Sequence, residues 1–386
     1  MQLSSPEPGL DIPARPGDPL SAVATPALVI DLDAFEANVA RMRDHAARLG
    51  VRLRAHAKTH KSADIAQAQV QGGGAVGICC QKVSEAMALV RAGVRDVLIA
   101  NEVVAPRAIA GLIRIATRAR VAVCADNPDN VAALSRAVMA ARAEGAEGLE
   151  LEVLVEIDSG AGRCGCAPGA AALALARAID AAPGLRLGGL QAYHGAAQHI
   201  YDPVARAAAL AGSIRAAAET RDAIRAAGLP CDRVTGAGTG SFAIEGASGV
   251  YTEIQAGSYV FMDADYARVA DPAGGVTGGF RQALFVLATV MSTPATGRAV
   301  CDAGLKALAV DSGLPVVAEP AGVTYAEASD EHGTLADPAG RLALGETVML
   351  VPGHCDPTCN LHDWYVCVRR GRVEALWPVT ARGRVF

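Results

Sequence analysis

The sequence predicts an α/β protein in which an N-terminal (β/α)8 barrel is followed by a β domain. Short apolar runs recur along the first 240 residues and alternate with alanine-rich segments of helical period. Eight strands alternating with helices are typical of such a barrel, and near-continuous apolar strands indicate a parallel sheet covered by helices. We therefore predict a barrel over residues 26–266, with a doubly wound sheet as the alternative architecture.

Each predicted barrel strand is one apolar run. In order, the runs are PALVIDLD from Pro26, LRAHAK from Leu53, VGICCQK from Val76, DVLIANEV from Asp96, VAVCAD from Val121, LEVLVEID from Leu151, LGGLQAYHG from Leu187 and RVTGAGTG from Arg233. After Tyr266 the runs become shorter and are broken by Gly, Pro and Asp, as in RLALGETVMLVPG. Residues 267–386, with residues 1–25 packed onto them, are therefore predicted to form the β domain.

Composition excludes several classes of protein. The net charge of −5 and the pI near 5.9 give no basic field for nucleic acid. No uninterrupted apolar run approaches the roughly 20 residues that a membrane span requires. The N-terminal segment is proline-rich and acidic and lacks the pattern of a secretory signal, so we expect a soluble cytoplasmic protein. The ten cysteines should then stay reduced. Their even number would also allow disulfides, but five of them lie in apolar strand-like runs and favour buried free thiols: Cys79, Cys80, Cys124, Cys164 and Cys301.

The chemistry of a barrel lies at the C-terminal ends of its strands. The segment RAHAKTHKS places Lys58 between His56 and His60 at such an end. A lysine inside a barrel mouth can have its amine pKa lowered by desolvation and by cationic neighbours, and it can then form a Schiff base. The alternative interpretation is a surface turn that happens to be basic.

Two glycine-rich stretches late in the predicted barrel are candidates for a phosphate site. They are TGAGTGS from Thr235 and EIQAGSY from Glu253. Their backbone N–H groups can approach a phosphate closely, although tight turns also use glycine. A lysine and a phosphate cradle on one barrel rim together meet the requirements of pyridoxal phosphate.

At these residues the sequence resembles a known family. It is similar to the fold-type III pyridoxal phosphate enzymes of the D-threonine aldolase, 3-hydroxy-D-aspartate aldolase and D-serine dehydratase group, which share the alanine racemase barrel. The matching stretches follow one another along nearly the whole chain: RAHAKTHKS, GICCQKVSEA, ANEVV, VEIDSGAGRCG, LQAYHGAAQH, TGAGTGS, EIQAGSYVFMDADY, DAGLK, SDEHG and VPGHCDPTCNLHDWYV.

The resemblance implies roles for individual residues. Lys58 would carry the cofactor as a Schiff base, and Arg163 in GAGRCG would lie beside the phenolic oxygen of the cofactor ring. Gln81 and Tyr193 would line the cofactor pocket. The phosphate would be held by Gly238, Thr239, Gly257, Ser258 and Tyr259. Without the resemblance, we would interpret Arg163 as a salt-bridge residue and Tyr193 as a core aromatic.

The C-terminal stretch VPGHCDPTCNLHDWYV contains a pattern of metal ligands. His354 and Asp356 are two residues apart and would share one face of an extended segment. One imidazole and one carboxylate leave positions open for water and substrate, which favours Mn²⁺ or Mg²⁺ over a closed thiolate site. In the resembling family, aldolases have aspartate and dehydratases cysteine at the second position. Asp363 is a candidate supporting residue, and three neighbours are predicted to be packing residues: Cys359, His362 and Cys367.

These parts predict retro-aldol cleavage of a D-3-hydroxy-amino acid to glycine and an aldehyde. A metal would lower the pKa of the substrate's β-hydroxyl, and His194 is the candidate base for its proton. His199 lies further into the loop and is less suited. Members of the family cleave D-threonine, D-phenylserine or 3-hydroxyaspartate. The last of these needs a cation for its distal carboxylate, and the basic candidates are equally explained as surface charges: Arg54, Lys306 and Arg382.

Three other functions share the barrel and the lysine. A dehydratase would use Lys58 as the base at Cα and expel the hydroxyl, and a racemase would need a second base and no metal. A non-enzymatic pyridoxal phosphate carrier would lack the β domain. Asp356 favours the aldolase. The resemblance also implies a homodimer with the active site at the interface, which leaves open whether the metal pair comes from the same chain.

Overall fold

In the computed structural model, which describes residues 6–386, one strand and one helix precede a closed barrel of eight parallel strands. The preceding elements are β1 (Ala27–Asp31) and α1 (Leu32–Leu49). The barrel strands are β2 (Arg52–His56), β3 (Gly77–Cys80), β4 (Asp96–Glu102), β5 (Arg120–Ala125), β6 (Leu151–Ile157), β7 (Leu185–Ala192), β8 (Val234–Gly236) and β9 (Glu253–Ile254). The predicted barrel is therefore confirmed.

Helices connect successive barrel strands. They are α2 (Ala63–Gln71), α3 (Val83–Arg91), α4 (Pro106–Ala116), α5 (Pro128–Ala143), α6 (Ala170–Ala181), α7 (Pro203–Ala226) and α8 (Phe242–Gly246). Several begin where the sequence provides a capping side chain: Asp31 accepts from Ala34 N at 3.0 Å, and Asp202 accepts from Ala205 N at 2.7 Å. Helix α1 contacts β2 and α8 and so completes the outer ring.

The strand predicted to open the barrel lies elsewhere, and this part of the prediction is wrong. Strand β1 pairs in parallel with β16 (Trp364–Arg369) and antiparallel with β10 (Leu284–Ala295), so it belongs to the sheet of the second domain. The eighth barrel strand is instead β9, which closes the barrel by pairing with β2 and β8. β1 resembles a barrel strand because a central sheet strand is also buried on both faces and therefore continuously apolar.

The second domain is a nine-stranded sheet. Its remaining strands are β11 (Arg298–Cys301), β12 (Val316–Glu319), β13 (Thr324–Ala328), β14 (Gly333–Ala336), β15 (Thr347–Val351) and β17 (Arg372–Pro378). The long strand β10 organises it, because its first half pairs with β1 and β15 and its second half with β11. One short helix, α9 (Cys355–Cys359), follows β15 and faces the barrel.

The N-terminal segment packs on this sheet. Gly17 N donates to Val373 O at 2.8 Å, and Leu20 N donates to Gly371 O at 2.9 Å, which places the segment beside β17. All ten cysteines are free thiols, and eight of them are buried. Cys164, which was predicted to be buried in a strand, is instead half-buried in the loop after β6, as is Cys166. Over residues 6–386, no helix has the length and hydropathy to cross a membrane.

Candidate active site

A cavity of about 570 Å³ opens at the C-terminal ends of the barrel strands. It is where the barrel architecture predicts a site. Its wall contains eight of the residues that the sequence singled out: Lys58, Gln81, Arg163, Tyr193, Gly238, Thr239, Gly257 and Ser258. It also contains Gln191, Gln255 and Tyr266, which the sequence reasoning did not assign, and His199, which it considered only as a less suited base.

Lys58 follows β2 and forms an ion pair with Asp356 of α9. Burial lowers the pKa of Lys58, but the Asp356 carboxylate and Tyr193 outweigh it, and the net pKa is raised above the ordinary value. Burial likewise opposes ionisation of Asp356, but the Lys58 charge and hydrogen bond lower the pKa of this carboxyl well below its usual range. The expectation that cationic neighbours lower the pKa of Lys58 is thus wrong for the cofactor-free chain, because the charged group that affects Lys58 most is the Asp356 carboxylate.

The two glycine-rich loops form the side of the cavity next to Lys58. A Cβ at Gly257 would lie 2.6 Å from Thr59 Oγ1 and 2.8 Å from His56 O, so only glycine fits against the lysine segment. Among the described residues, none accepts a hydrogen bond from the backbone N–H of Thr239, Gly257 or Ser258. Three unpaired N–H groups on one cavity wall fit a phosphate, whose oxygens would accept from them.

Arg163 and Tyr193 form another wall. The guanidinium carbon of Arg163 lies 5.7 Å from the centroid of the Tyr193 ring. Among the described residues no salt bridge involves Arg163, which lines the cavity, so its charge can face an anionic oxygen there. Gln81 Nε2 lies 3.0 Å from His56 Nε2 at the base of the cavity. Burial, and after it the Lys58 charge, lower the pKa of His56. The base of the cavity is therefore neutral and polar.

Two of the residues predicted for cofactor binding and proton transfer lie outside the cavity wall, as does the predicted metal pair. The Tyr259 hydroxyl accepts from Gln69 Nε2 at 3.1 Å in the core, so only the backbone of Tyr259, which donates to Thr239 Oγ1, is near the cradle. His194 lies between the wall residues Tyr193 and Gly195, with its ring against Gly160. Its Nδ1 is buried and has no hydrogen-bond partner within the described residues.

The predicted metal pair lies where the second domain meets the cavity. The segment is not extended as expected, because His354 is the residue before α9 and Asp356 lies in its first turn. His354 Nδ1 is 2.7 Å from Asp311 Oδ2, while Asp356 turns toward Lys58 of the same chain. Within residues 6–386, no three His, Cys, Asp or Glu side chains form a metal-binding group, so the protein offers at most an incomplete site.

The other residues of this stretch have structural contacts. Cys359 and Cys367 are buried in the core, as predicted for packing residues. His362 Nε2 lies 2.7 Å from Ala307 O. Asp363 is exposed and pairs with Arg382 at 3.0 Å, so it does not support His354; Asp311, which the sequence reasoning missed, occupies that place. The stretch VDSGLP contains Asp311, but nothing in its spacing connects it to a histidine 43 residues later.

Comparison with known proteins identifies the family. The alanine racemase N-terminal domain matches residues 30–265, and the serine dehydratase domain matches residues 283–368. A 3-hydroxy-D-aspartate aldolase of Paracoccus denitrificans (strain Pd 1222) is 50% identical over 383 residues, which cover 98% of this chain and 97% of the relative. The chain belongs to this aldolase family. A D-threonine aldolase of Arthrobacter sp. is 48% identical over 373 residues, covering 96% of each chain.

Solved structures agree with this membership of the aldolase family. The crystal structure of D-threonine aldolase from Filomicrobium marinum has a TM-score of 0.93 and 50% identity, and the match covers 97% of this chain and 100% of that one. A D-threo-3-hydroxyaspartate dehydratase of Delftia sp. (strain HT23) is more distant, at 32% identity over 88% of this chain and 93% of the relative.

Proposed function

We propose that this chain is a carbon–carbon lyase that uses pyridoxal phosphate and a divalent metal to cleave D-3-hydroxy-amino acids into glycine and an aldehyde. The observation that carries the proposal is that Lys58 and an open phosphate cradle line one cavity, and that the Asp356 carboxylate pairs with this lysine. Relatives of 50% and 48% identity over nearly the full chain are aldolases of this kind, which supports the same chemistry here.

The cavity residues fit the cofactor. Pyridoxal phosphate, when bound, supplies an electron sink for the negative charge that develops at Cα. Lys58 would hold it covalently, and Arg163 would face its phenolic oxygen. The backbone N–H groups of Thr239, Gly257 and Ser258 would bind its phosphate. Because Lys58 must lose its proton to bond to the cofactor, its ion pair with Asp356 must separate when the cofactor is loaded.

His354 and Asp356 would hold Mn²⁺ or Mg²⁺, whose charge lowers the pKa of a bound hydroxyl. The Asp311 carboxylate fixes Nδ1 of His354 as the protonated nitrogen, so that Nε2 carries the lone pair for the metal. Among the described residues, His354 and Asp356 would be the two protein ligands, which leaves coordination positions for water and for a substrate oxygen.

His194 would accept the proton of the substrate's β-hydroxyl. Buried polar atoms without a partner are rare, and its Nδ1 is one of them. A substrate hydroxyl, or a water between it and the ring, would satisfy this nitrogen. His194 lies at the end of β7 beside the wall residue Tyr193, which supports this role.

Assembly and location complete the proposal. We propose a homodimer, which size-exclusion chromatography with light scattering would test. A cytoplasmic location fits ten unpaired thiols, because reducing compartments keep cysteines in that form.

The deciding experiment is product analysis on the cofactor-loaded protein. D-threonine and both diastereomers of 3-hydroxyaspartate would each be incubated with Mn²⁺, with Mg²⁺ and with EDTA. Metal-dependent glycine together with acetaldehyde or glyoxylate is the expected outcome. Ammonia with 2-oxobutyrate or oxaloacetate would instead identify a dehydratase and refute the argument from Asp356.

A further inference from the structure

The substrates named for the aldolase relatives differ in the group attached to Cβ. D-threonine has a methyl group there and 3-hydroxyaspartate a carboxylate. A carboxylate inside a cavity is costly unless a cation or several donors meet it. The three basic residues that the sequence offered do not line the cavity, because each pairs with an acid elsewhere: Arg54 with Glu253 and Asp96, Lys306 with Glu331, and Arg382 with Asp363.

The cavity wall itself leaves one basic side chain without a role. Lys58 would hold the cofactor, Arg163 would face its phenolic oxygen, and burial lowers the pKa of His56. The remaining basic group is His199, at the end of a short 3₁₀ helix, Ala196–His199, that follows β7. As far as residues 6–386 describe this wall, no Asp or Glu lines it, and the nearby carboxylates of Asp356 and Asp265 are paired with Lys58 and His199.

His199 is held in place by a buried acid. Its Nδ1 lies 2.5 Å from Asp265 Oδ2, and Asp265 is almost fully buried. The other oxygen of Asp265 accepts from Tyr201 at 2.7 Å and from Arg268 at 2.6 Å. Although burial raises the pKa of Asp265, the hydrogen bonds from Tyr201 and His199 outweigh it, so the net pKa is lowered and the carboxyl stays ionised.

This arrangement fixes which nitrogen of His199 is available. Because Nδ1 donates to Asp265, Nε2 is the atom that remains for a ligand, and no described residue forms a hydrogen bond with it. The Arg268 guanidinium balances the charge of the Asp265 carboxylate, so a proton on Nε2 of His199 would give the three groups one net positive charge. A carboxylate that accepts from Nε2 would form a charge-assisted hydrogen bond, the strong kind.

We propose that His199, positioned by Asp265, binds the distal carboxylate of an acidic D-3-hydroxy-amino acid and so determines the preference for 3-hydroxyaspartate over D-threonine. The inference rests on the proposed function, since it specifies the substrate class of the same site. His199 thereby has a role separate from that of His194, which would act on the hydroxyl that both substrates share.

The test compares the two substrates on one enzyme. His199→Gln keeps a polar side chain of similar size and removes the charge. We expect the ratio of kcat/KM for 3-hydroxy-D-aspartate to kcat/KM for D-threonine to fall about tenfold to hundredfold, mostly through KM, as loss of one charge-assisted hydrogen bond implies. Asp265→Asn should lower the same ratio. His332→Gln, an exposed histidine on the second domain, is the matched control and should leave the ratio unchanged.

A binding measurement separates this inference from the proposed function. D-aspartate and D-alanine lack the β-hydroxyl, so their affinities for the cofactor-loaded protein, followed by visible absorbance, do not require cleavage. Weaker D-aspartate binding in His199→Gln with unchanged D-alanine binding would support the inference even if no aldol cleavage occurred. An unchanged ratio, or an equal loss for both substrates and both ligands, would overturn it.

Discussion

Glu245 lies behind the proposed phosphate cradle, and its ionisation should contribute to the pH dependence of folding. It is fully buried in α8, where it accepts a hydrogen bond from the Ser241 hydroxyl. Ser241 Oγ in turn accepts from Gly238 N at 3.0 Å and from Gln198 Nε2 at 2.7 Å. Burial raises the pKa of Glu245 to about 7, against the opposing effect of hydrogen bonds from Ser241 and Tyr251.

The size of the effect follows from the two pKa values. An ordinary glutamate has a pKa of 4.5, and each pH unit of difference corresponds to about 1.4 kcal/mol, so the difference amounts to about 3 kcal/mol. Because the folded value is the higher one, the contribution to stability is fully present below pH 4.5. It is lost as the pH rises from 4.5 to about 7, since the unfolded chain releases the proton first.

Glu245→Gln keeps a hydrogen-bond acceptor for Ser241 and cannot ionise. The wild type should lose about 3 kcal/mol of unfolding free energy relative to the variant as the pH rises from 4.5 to 7. Urea unfolding of the cofactor-free protein, followed by circular dichroism across this range, measures it. Glu147→Gln, on the surface, is the control. A difference that does not change with pH would refute the reasoning.

Three further predictions concern the reaction. Lys58→Ala should abolish both turnover and the visible absorbance of bound cofactor; retained absorbance after dialysis would contradict its role as the Schiff-base residue. His194→Ala should lose turnover of D-threonine and 3-hydroxyaspartate equally while the cofactor absorbance remains, and an active variant would exclude His194 as the base. Asp311→Asn should weaken Mn²⁺ binding, measured by titration calorimetry, about tenfold to hundredfold, because Nδ1 of His354 loses its carboxylate partner; unchanged affinity would show that Asp311 does not orient the ligand.

The sequence predicted the architecture because strand and helix periods are local properties. It could not assign each strand to its sheet, since β1 and the barrel strands are all continuously apolar and differ only in their distant partners. β9 was missed as a strand because it is two residues long and begins a glycine-rich loop. Its pairing with β2 and β8, which closes the barrel, is a long-range contact without a local pattern.

The site residues on barrel strand ends could be found from sequence, because their neighbours in the chain are also their neighbours in space. Lys58 and the cradle residues are of this kind. Partners that come from other elements could not be found. Asp356 lies 298 residues after Lys58, and its carboxylate raises the pKa of the lysine, which was expected to be lowered. Asp265 is 66 residues after His199, so the pair on the cavity wall becomes visible only in the fold.

The second domain contacts the segment that contains Lys58 and also carries His354 and Asp356, the proposed metal ligands, and this bears on the choice between enzyme and carrier. Tyr365 donates its hydroxyl proton to His60 O at 2.6 Å, and Ala381 N donates to Lys61 O at 2.8 Å. Both acceptors lie within three residues of Lys58. A barrel that merely carried the cofactor would not need these contacts. The sheet domain contacts the segment that contains the lysine and also places Asp356 against it, which supports the proposal that the two domains act as one catalytic unit.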